Sequence, residues 1–222
     1  MKFDKDYYEN GVQLGISGYS NYRWLPDLTI PMCKKIVDYL EIAPHHRILD
    51  FGCAKGYIVK GFDKLNYHCV GVDISEYAIA HCDTAIKDKV GLYKGEETCF
   101  FKDGKKFDFV IAKDVFEHIP VHSLTEILGI LHDVSKKILC IVPLGRDGRY
   151  IIPEYEYDIT HIIREDITWW KNLFCKNDFK IESASYRVPG IKDNWAHYPK
   201  GNAFIVASTL PCRCPRAGCK CC

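Results

Sequence analysis

From Arg47 onward the chain alternates short apolar runs with amphipathic stretches. Five runs read as strands: Arg47–Phe51, Cys69–Asp73, a weaker Val90–Lys94, Phe107–Ala112 and Lys137–Pro143. Helical spacing fills the gaps: a stretch through Phe62, a helix opened by Ser75 and Glu76 that carries Ile79, Cys82 and Ile86, and a helix from about Ser123 to Ser135. Continuous apolar strands joined by helices predict right-handed crossovers and a mainly parallel sheet covered on both faces. After Pro143 an aromatic and charged insertion, 145–165, breaks the rhythm, and helix Asp166–Lys176 then leads to an alternating pair, Phe179–Tyr186 and Asn202–Thr209. The long connection Val188–Pro199 between that pair has the length of a functional loop. Upstream, Pro31 is expected to open a helix with Met32, Ile36, Val37 and Leu40 on one face, closed by Pro44. Residues 1–30, rich in Tyr, Gly and Asn, hold neither period for long and read as an arm or lid on a domain spanning 31–210.

With 222 residues, 47% of them hydrophobic, the chain has enough apolar material for one core and is short for two. Thirty Lys and Arg against 29 Asp and Glu leave a charge of +1, with the basic residues scattered, so the electrostatic footprint of a nucleic-acid binder is missing. No apolar run approaches the ~20 residues of a membrane span, and Met1–Asp6 lacks the apolar stretch of a secretory signal. A soluble, cytoplasmic protein with no membrane or nucleic-acid partner is expected, and the pattern leaves the oligomeric state open. Seven cysteines (Cys33, Cys53, Cys69, Cys82, Cys99, Cys140, Cys175) fall singly in the elements, where Cys is usually a small buried hydrophobe. The other five (Cys212, Cys214, Cys219, Cys221, Cys222) crowd 211–222, a segment read as a disordered tail outside the fold. Its C-x-C and C-C spacings suit a soft ion but lack the C-x-x-C pairs of structural zinc.

The chemistry concentrates at the first strand-to-helix turn. Gly52 and Gly56 lie between strand and helix, and Asp73 ends the next strand 21 positions after Gly52, an arrangement that builds a nucleotide site in an open α/β sheet. A dinucleotide fingerprint anchored at Gly52 would need Gly at 54 and 57, where the chain has Ala54 and Tyr57, and no Gly-Lys-Ser/Thr of a P-loop occurs. Asp50-x-Gly52-x-Ala54-x-Gly56 resembles instead the D-x-G-x-G-x-G signature of class I S-adenosylmethionine-dependent methyltransferases, with Ala at the middle Gly. Gly71-Val-Asp73-Ile-Ser resembles that family's second motif, and Phe107–Pro120 is similar to its fourth strand and D-V-x-E-H-x segment.

The resemblance implies an α/β fold with a Rossmann-like, seven-stranded, mostly parallel sheet, helices on both faces and an antiparallel last strand. It implies S-adenosylmethionine as cofactor and S-adenosylhomocysteine as product, held by Asp50, Gly52, Cys53, Ala54, Gly56 and Lys113. Asp73 is expected on the ribose diol, Ile74 against the adenine and Glu96 near the adenine amino group, while Tyr22 and Arg23 of the arm meet the cofactor carboxylate.

Methyl transfer from a sulfonium is an in-line displacement, so positioning in a dry pocket is the main task, helped by a base where the acceptor must lose a proton. His161, in Tyr157-Asp158-Ile-Thr-His161, follows the fifth strand at the ligand-binding edge of the sheet and is the candidate catalytic residue; its other reading is a packing residue within the insertion. His118 is expected to brace the loop beside the cofactor. Asp158 and His161 alone are too few for a metal site, and no metal is expected. The insertion, as an acceptor lid, contributes Tyr150, Tyr155 and Tyr157, which with Trp169, Trp170, Trp195, His197 and Tyr198 are the expected acceptor wall. The expected activity is methyl transfer to oxygen or nitrogen of a small molecule. A peptide or protein acceptor, which would need a shallow open groove, is one alternative. The other is a non-catalytic cofactor-binding scaffold whose thiol-rich tail binds metal.

Overall fold

The computed structural model describes residues 3–211; the cysteines of the tail, from Cys212 on, lie outside them. Two short helices, α1 (Lys5–Glu9) and α2 (Gly11–Leu14), form the arm and lead to α3 (Pro26–Leu40). Then follow β1 (Arg47–Phe51), α4 (Tyr57–Lys64), β2 (His68–Asp73), α5 (Glu76–Ala80), β3 (Val90–Leu92), β4 (Phe107–Lys113), α6 (Val121–Val134) and β5 (Ser135–Pro143). A small hairpin, β6 (Gly145–Arg146) and β7 (Arg149–Tyr150), opens the insertion, and α7 (Ile167–Lys176), β8 (Phe179–Ser185) and β9 (Asn202–Thr209) complete the chain. Asp147 and Gly148, both left-handed, make the hairpin's two-residue turn.

Seven strands form one sheet in the order β3-β2-β1-β4-β5-β9-β8. Pairs from β3 through β5 are parallel, whereas β9 runs antiparallel to both β5 and β8. The seven-stranded, Rossmann-like architecture read from the motifs is therefore present, antiparallel last strand included. Side chains alternate across the sheet: Ile138, Cys140 and Val142 of β5 and Ile205 of β9 pack with Leu124, Leu128 and Leu131 of α6 and Trp170 and Phe174 of α7. Leu139 and Ile141, with Phe204 and Val206, point to the other layer against Cys33 and Ile36 of α3 and Val59 and Phe62 of α4. Burial on both faces is why these strands read as unbroken apolar runs.

Two helices differ from the periodicity reading. α3 begins at Pro26, which takes the first-turn position, and Pro31 sits inside the helix beyond that turn, where the Asp27 carbonyl loses its intrahelical N–H partner. The helix expected after Ser75 ends at Ala80, with a short 3-10 turn at Thr84–Ile86, because Asp83 caps a new turn through its bond to the Ala85 N–H.

Leu128 is fully buried in the middle of the α6 stripe. Leu128→Ala is expected to lower unfolding free energy by about 2–5 kcal/mol. Urea denaturation measures this, and a loss under 1 kcal/mol would contradict the packing.

Candidate active site

The β1–α4 turn has three residues in the left-handed region: Gly52 (φ 78°), Ala54 (φ 49°) and Gly56 (φ 76°). At Gly52 a Cβ would lie 2.4 Å from Val115 Cγ2, so glycine is required there for close approach as well as for φ. Ala54 adopts the same region with a side chain, at a cost of roughly 1–2 kcal/mol. What holds it is Asp73 at the end of β2, whose Oδ2 accepts from the Ala54 N–H at 2.7 Å while Oδ1 accepts from the Ser75 N–H at 2.8 Å. Burial raises the Asp73 carboxyl against the pull of those donors.

Above this turn lies a cavity of about 360 Å³. Its floor is Asp50, Gly52, Cys53, Ala54, Asp73 and Ile74, and Ile74 keeps 56% of its surface exposed. Asp50 is buried with Oδ2 unpartnered, and burial together with the Asp73 charge pushes its carboxyl up to about 8 despite Lys113. Lys113 is the one lysine or arginine among the lining residues, and its Nζ lies 2.5 Å from Asp114. Asp114 also pairs with Lys192, and although burial opposes its charge, the two lysines hold its carboxyl well below the ordinary range.

The arm forms the roof, presenting Phe3, Tyr7, Tyr8, Tyr19 and Tyr22 to the cavity. Contacts that tie it down include Lys55 to Glu9 at 2.5 Å, Lys55 to the Tyr22 carbonyl at 2.9 Å, Ser75 Oγ to the Phe3 carbonyl at 2.5 Å, and Tyr7 Oη to Asp158 Oδ2 at 2.8 Å. Tyr7 and Tyr8 are almost fully buried, each contributing on the order of 2 kcal/mol to docking the arm.

The far end of the cavity is polar. His118 lines it, and its ring lies 4.5 Å from that of His161, which is buried behind it. His118 Nδ1 is 2.7 Å from Thr160 Oγ1. Since that hydroxyl donates to Asp158 Oδ1, at 2.5 Å, Nδ1 of His118 must be the donor and Nε2 keeps its lone pair. His161 Nδ1 meets the Tyr155 carbonyl at 2.7 Å, which requires a donor and leaves its Nε2 free as well. Burial, then the neighbouring His161, pushes His118 down to about 4, and burial lowers His161 too. Burial disfavours the charged form of both rings, and His161 Nε2 stands 3.9 Å from Glu117 Oε1, beyond hydrogen-bond reach. Glu117 is fully buried with neither oxygen hydrogen-bonded, and burial and the Asp114 charge raise its carboxyl well above the ordinary range.

Several expected residues sit elsewhere. Gly56 lies beside the cavity, where a Cβ would meet Ile86 and Val90, so its place is one of close packing. Arg23 is exposed and outside the lining, because the arm's chain turns Tyr22 inward and Arg23 outward. Glu96 is exposed, carried outward by the left-handed turn at Gly95, and Tyr93 lines the cavity in its place. His161 does not line the cavity; His118 stands between. The expected acceptor wall is also absent from the lining: Trp170 is buried in the core, Tyr157 is 67% exposed and Tyr155 bonds Asn202. The aromatic surface comes from the arm, where clustered tyrosines were its sequence signal.

Residues 28–184, more than half of the chain, match the methyltransferase domain family. None of the curated proteins matches the chain. Among solved structures, a SAM-dependent methyltransferase from Archaeoglobus fulgidus is 20% identical with a TM-score of 0.59, over 83% of this chain and 95% of that one. Magnesium protoporphyrin IX methyltransferase from Synechocystis PCC 6803, solved with bound SAH, is 14% identical with a TM-score of 0.58, over 82% and 83%. A SAM-dependent methyltransferase from Methanosarcina mazei is 16% identical with a TM-score of 0.59, over 78% and 97%. The chain belongs to the methyltransferase domain family, with S-adenosylmethionine as its cofactor. No helix among the described residues is long and apolar enough to cross a membrane.

Relief of the left-handed alanine is directly testable. Ala54→Gly should raise stability by up to about 1 kcal/mol, since the strain removed exceeds the entropy that glycine loses. A thermal melt showing a destabilised variant would contradict the turn geometry.

Proposed function

We propose that the roofed cavity binds S-adenosylmethionine and that the chain transfers its methyl group to an oxygen or nitrogen of a small molecule. The observation that carries the acceptor class is the roof: the arm closes the cavity with five aromatic side chains, where a peptide or protein acceptor would need an open groove. When bound, the cofactor supplies a methyl carbon activated by a sulfonium; in-line attack forms the new bond to the acceptor as sulfur leaves as a neutral thioether.

The chain's own groups match the cofactor's polar parts. Asp73 keeps a lone pair on each oxygen beyond those used by Ala54 and Ser75, enough for a ribose diol. Ile74 offers an uncovered apolar face to the adenine, and Cys53 and Ala54 bring backbone to the same floor. Asp50, buried and half-partnered, suits the cofactor's ammonium, and Lys113 its carboxylate, with Tyr22 above. The tyrosine faces of the roof also suit a sulfonium. His118 presents the acceptor end, and His161, one ring behind, is a positioning residue in this reading.

Asp73→Ala should weaken S-adenosylmethionine binding by about 1.5–3 kcal/mol, while Arg23→Ala leaves it within 0.5 kcal/mol, roughly the scatter of surface substitutions. Calorimetric titration, with NAD as a non-binding control, measures both; undiminished affinity in Asp73→Ala would remove the ribose assignment. The same instrument tests Asp50. A carboxyl raised to about 8 holds its proton at pH 7, and a cation placed beside it lowers that value, so binding should release protons. Heats at pH 7 in two buffers of different ionisation enthalpy should therefore differ; equal heats would place the ammonium elsewhere.

A further inference from the structure

Glu117 has no partner in the site as described. It is fully buried, both carboxylate oxygens lack a hydrogen bond, and the nearest lysines, Lys113 and Lys192, are engaged by Asp114. A buried carboxyl group without a hydrogen bond is destabilising unless something compensates it. The atoms facing it are acceptors: Nε2 of His161 lies 3.9 Å from Oε1, and one ligand atom from each of Glu117, His118 and His161 lies within 4.8 Å of the others. At 3.9 Å the His161 Nε2 and Glu117 Oε1 atoms are beyond hydrogen-bond reach, so neither satisfies the other, and a cation between them would satisfy both.

We propose that Glu117, His118 and His161 bind one divalent first-row transition-metal ion at the acceptor end of the cavity. The surrounding hydrogen bonds are those a metal site needs. His161 donates Nδ1–H to the Tyr155 carbonyl, and His118 donates Nδ1–H to Thr160, itself fixed by Asp158, so in both rings Nε2 keeps the lone pair that an ion requires. The Glu117 carbonyl accepts from the Ile162 and Ile163 N–H groups, locking the loop that carries His161 to the turn that carries the other two ligands. Two imidazoles and one carboxylate suit a borderline ion and leave coordination positions free, as in catalytic sites. His118 belongs to both the cluster and the cavity lining, so a free position on that side meets an acceptor oxygen and lowers its pKa. That catalytic use rests on the cavity being the methyl-transfer site; ion binding itself does not.

The test is titration of the chelator-stripped full chain with Mn²⁺, followed by loss of the free-ion EPR signal. Manganese is chosen because the thiols of 212–222 favour softer ions. One Mn²⁺ per chain is expected, bound at least 10-fold more weakly by Glu117→Gln and by His161→Gln, with S-adenosylhomocysteine binding by both variants within about twofold of the parent, which shows them folded. Absence of saturable binding, or an affinity in either variant equal to that of the parent chain, would overturn the proposal. Ion binding without any S-adenosylhomocysteine binding by the parent chain would overturn the cofactor reading and leave the metal site standing.

Discussion

The carboxylate of Asp73 accepts from two backbone N–H groups, those of Ala54 and Ser75, and the rest of the site depends on that bond pair. Through Ala54 it holds the β1–α4 turn in a left-handed conformation that an alanine would not adopt unaided, and through Ser75 it sets the start of α5. Ser75 in turn anchors the arm through the Phe3 carbonyl, so floor and roof share one hinge of hydrogen bonds. The strand edge, the turn and the arm thereby enclose a space whose walls are apolar and whose unpartnered groups are acidic.

Buried acids are the second theme. Asp50 in the cavity floor and Glu117 outside its lining are sequestered with unpartnered oxygens, whereas Asp114 is held ionised by two lysines. A fold that needed only stability would not keep orphaned carboxylates beside a pocket. In the proposed reading each meets a cation that arrives from outside the chain: the cofactor's ammonium for Asp50 and a metal ion for Glu117.

The parallel sheet was legible because strands buried on both faces are written as unbroken apolar runs, and the Gly52, Gly56 and Asp73 spacing is a local feature that survives without tertiary information. Less legible were contacts that depend on how distant loops fold back. Glu96 was assigned by its position after β3, but the left-handed turn at Gly95 sends it to solvent. The sequence points to the aromatic residues of the insertion as the wall, while those that line the cavity come mostly from the arm, since aromatic clusters carry no period that tells core, surface and pocket apart. His161 and His118 exchange places relative to expectation because their order is set by Thr160 and Asp158, residues of the insertion that reach back to the turn after β4. Arg23 neighbours a lining tyrosine, and one step along an extended chain reverses the side chain's direction.

The central claim is that the arm-roofed cavity is the cofactor site, and a crystal structure of the full chain grown with S-adenosylhomocysteine tests it most directly. The account predicts ligand density in that cavity, with the ribose hydroxyls within hydrogen-bond reach of Asp73 and the adenine against Ile74. Density elsewhere on the molecule, or a cavity left empty at saturating ligand, would contradict it.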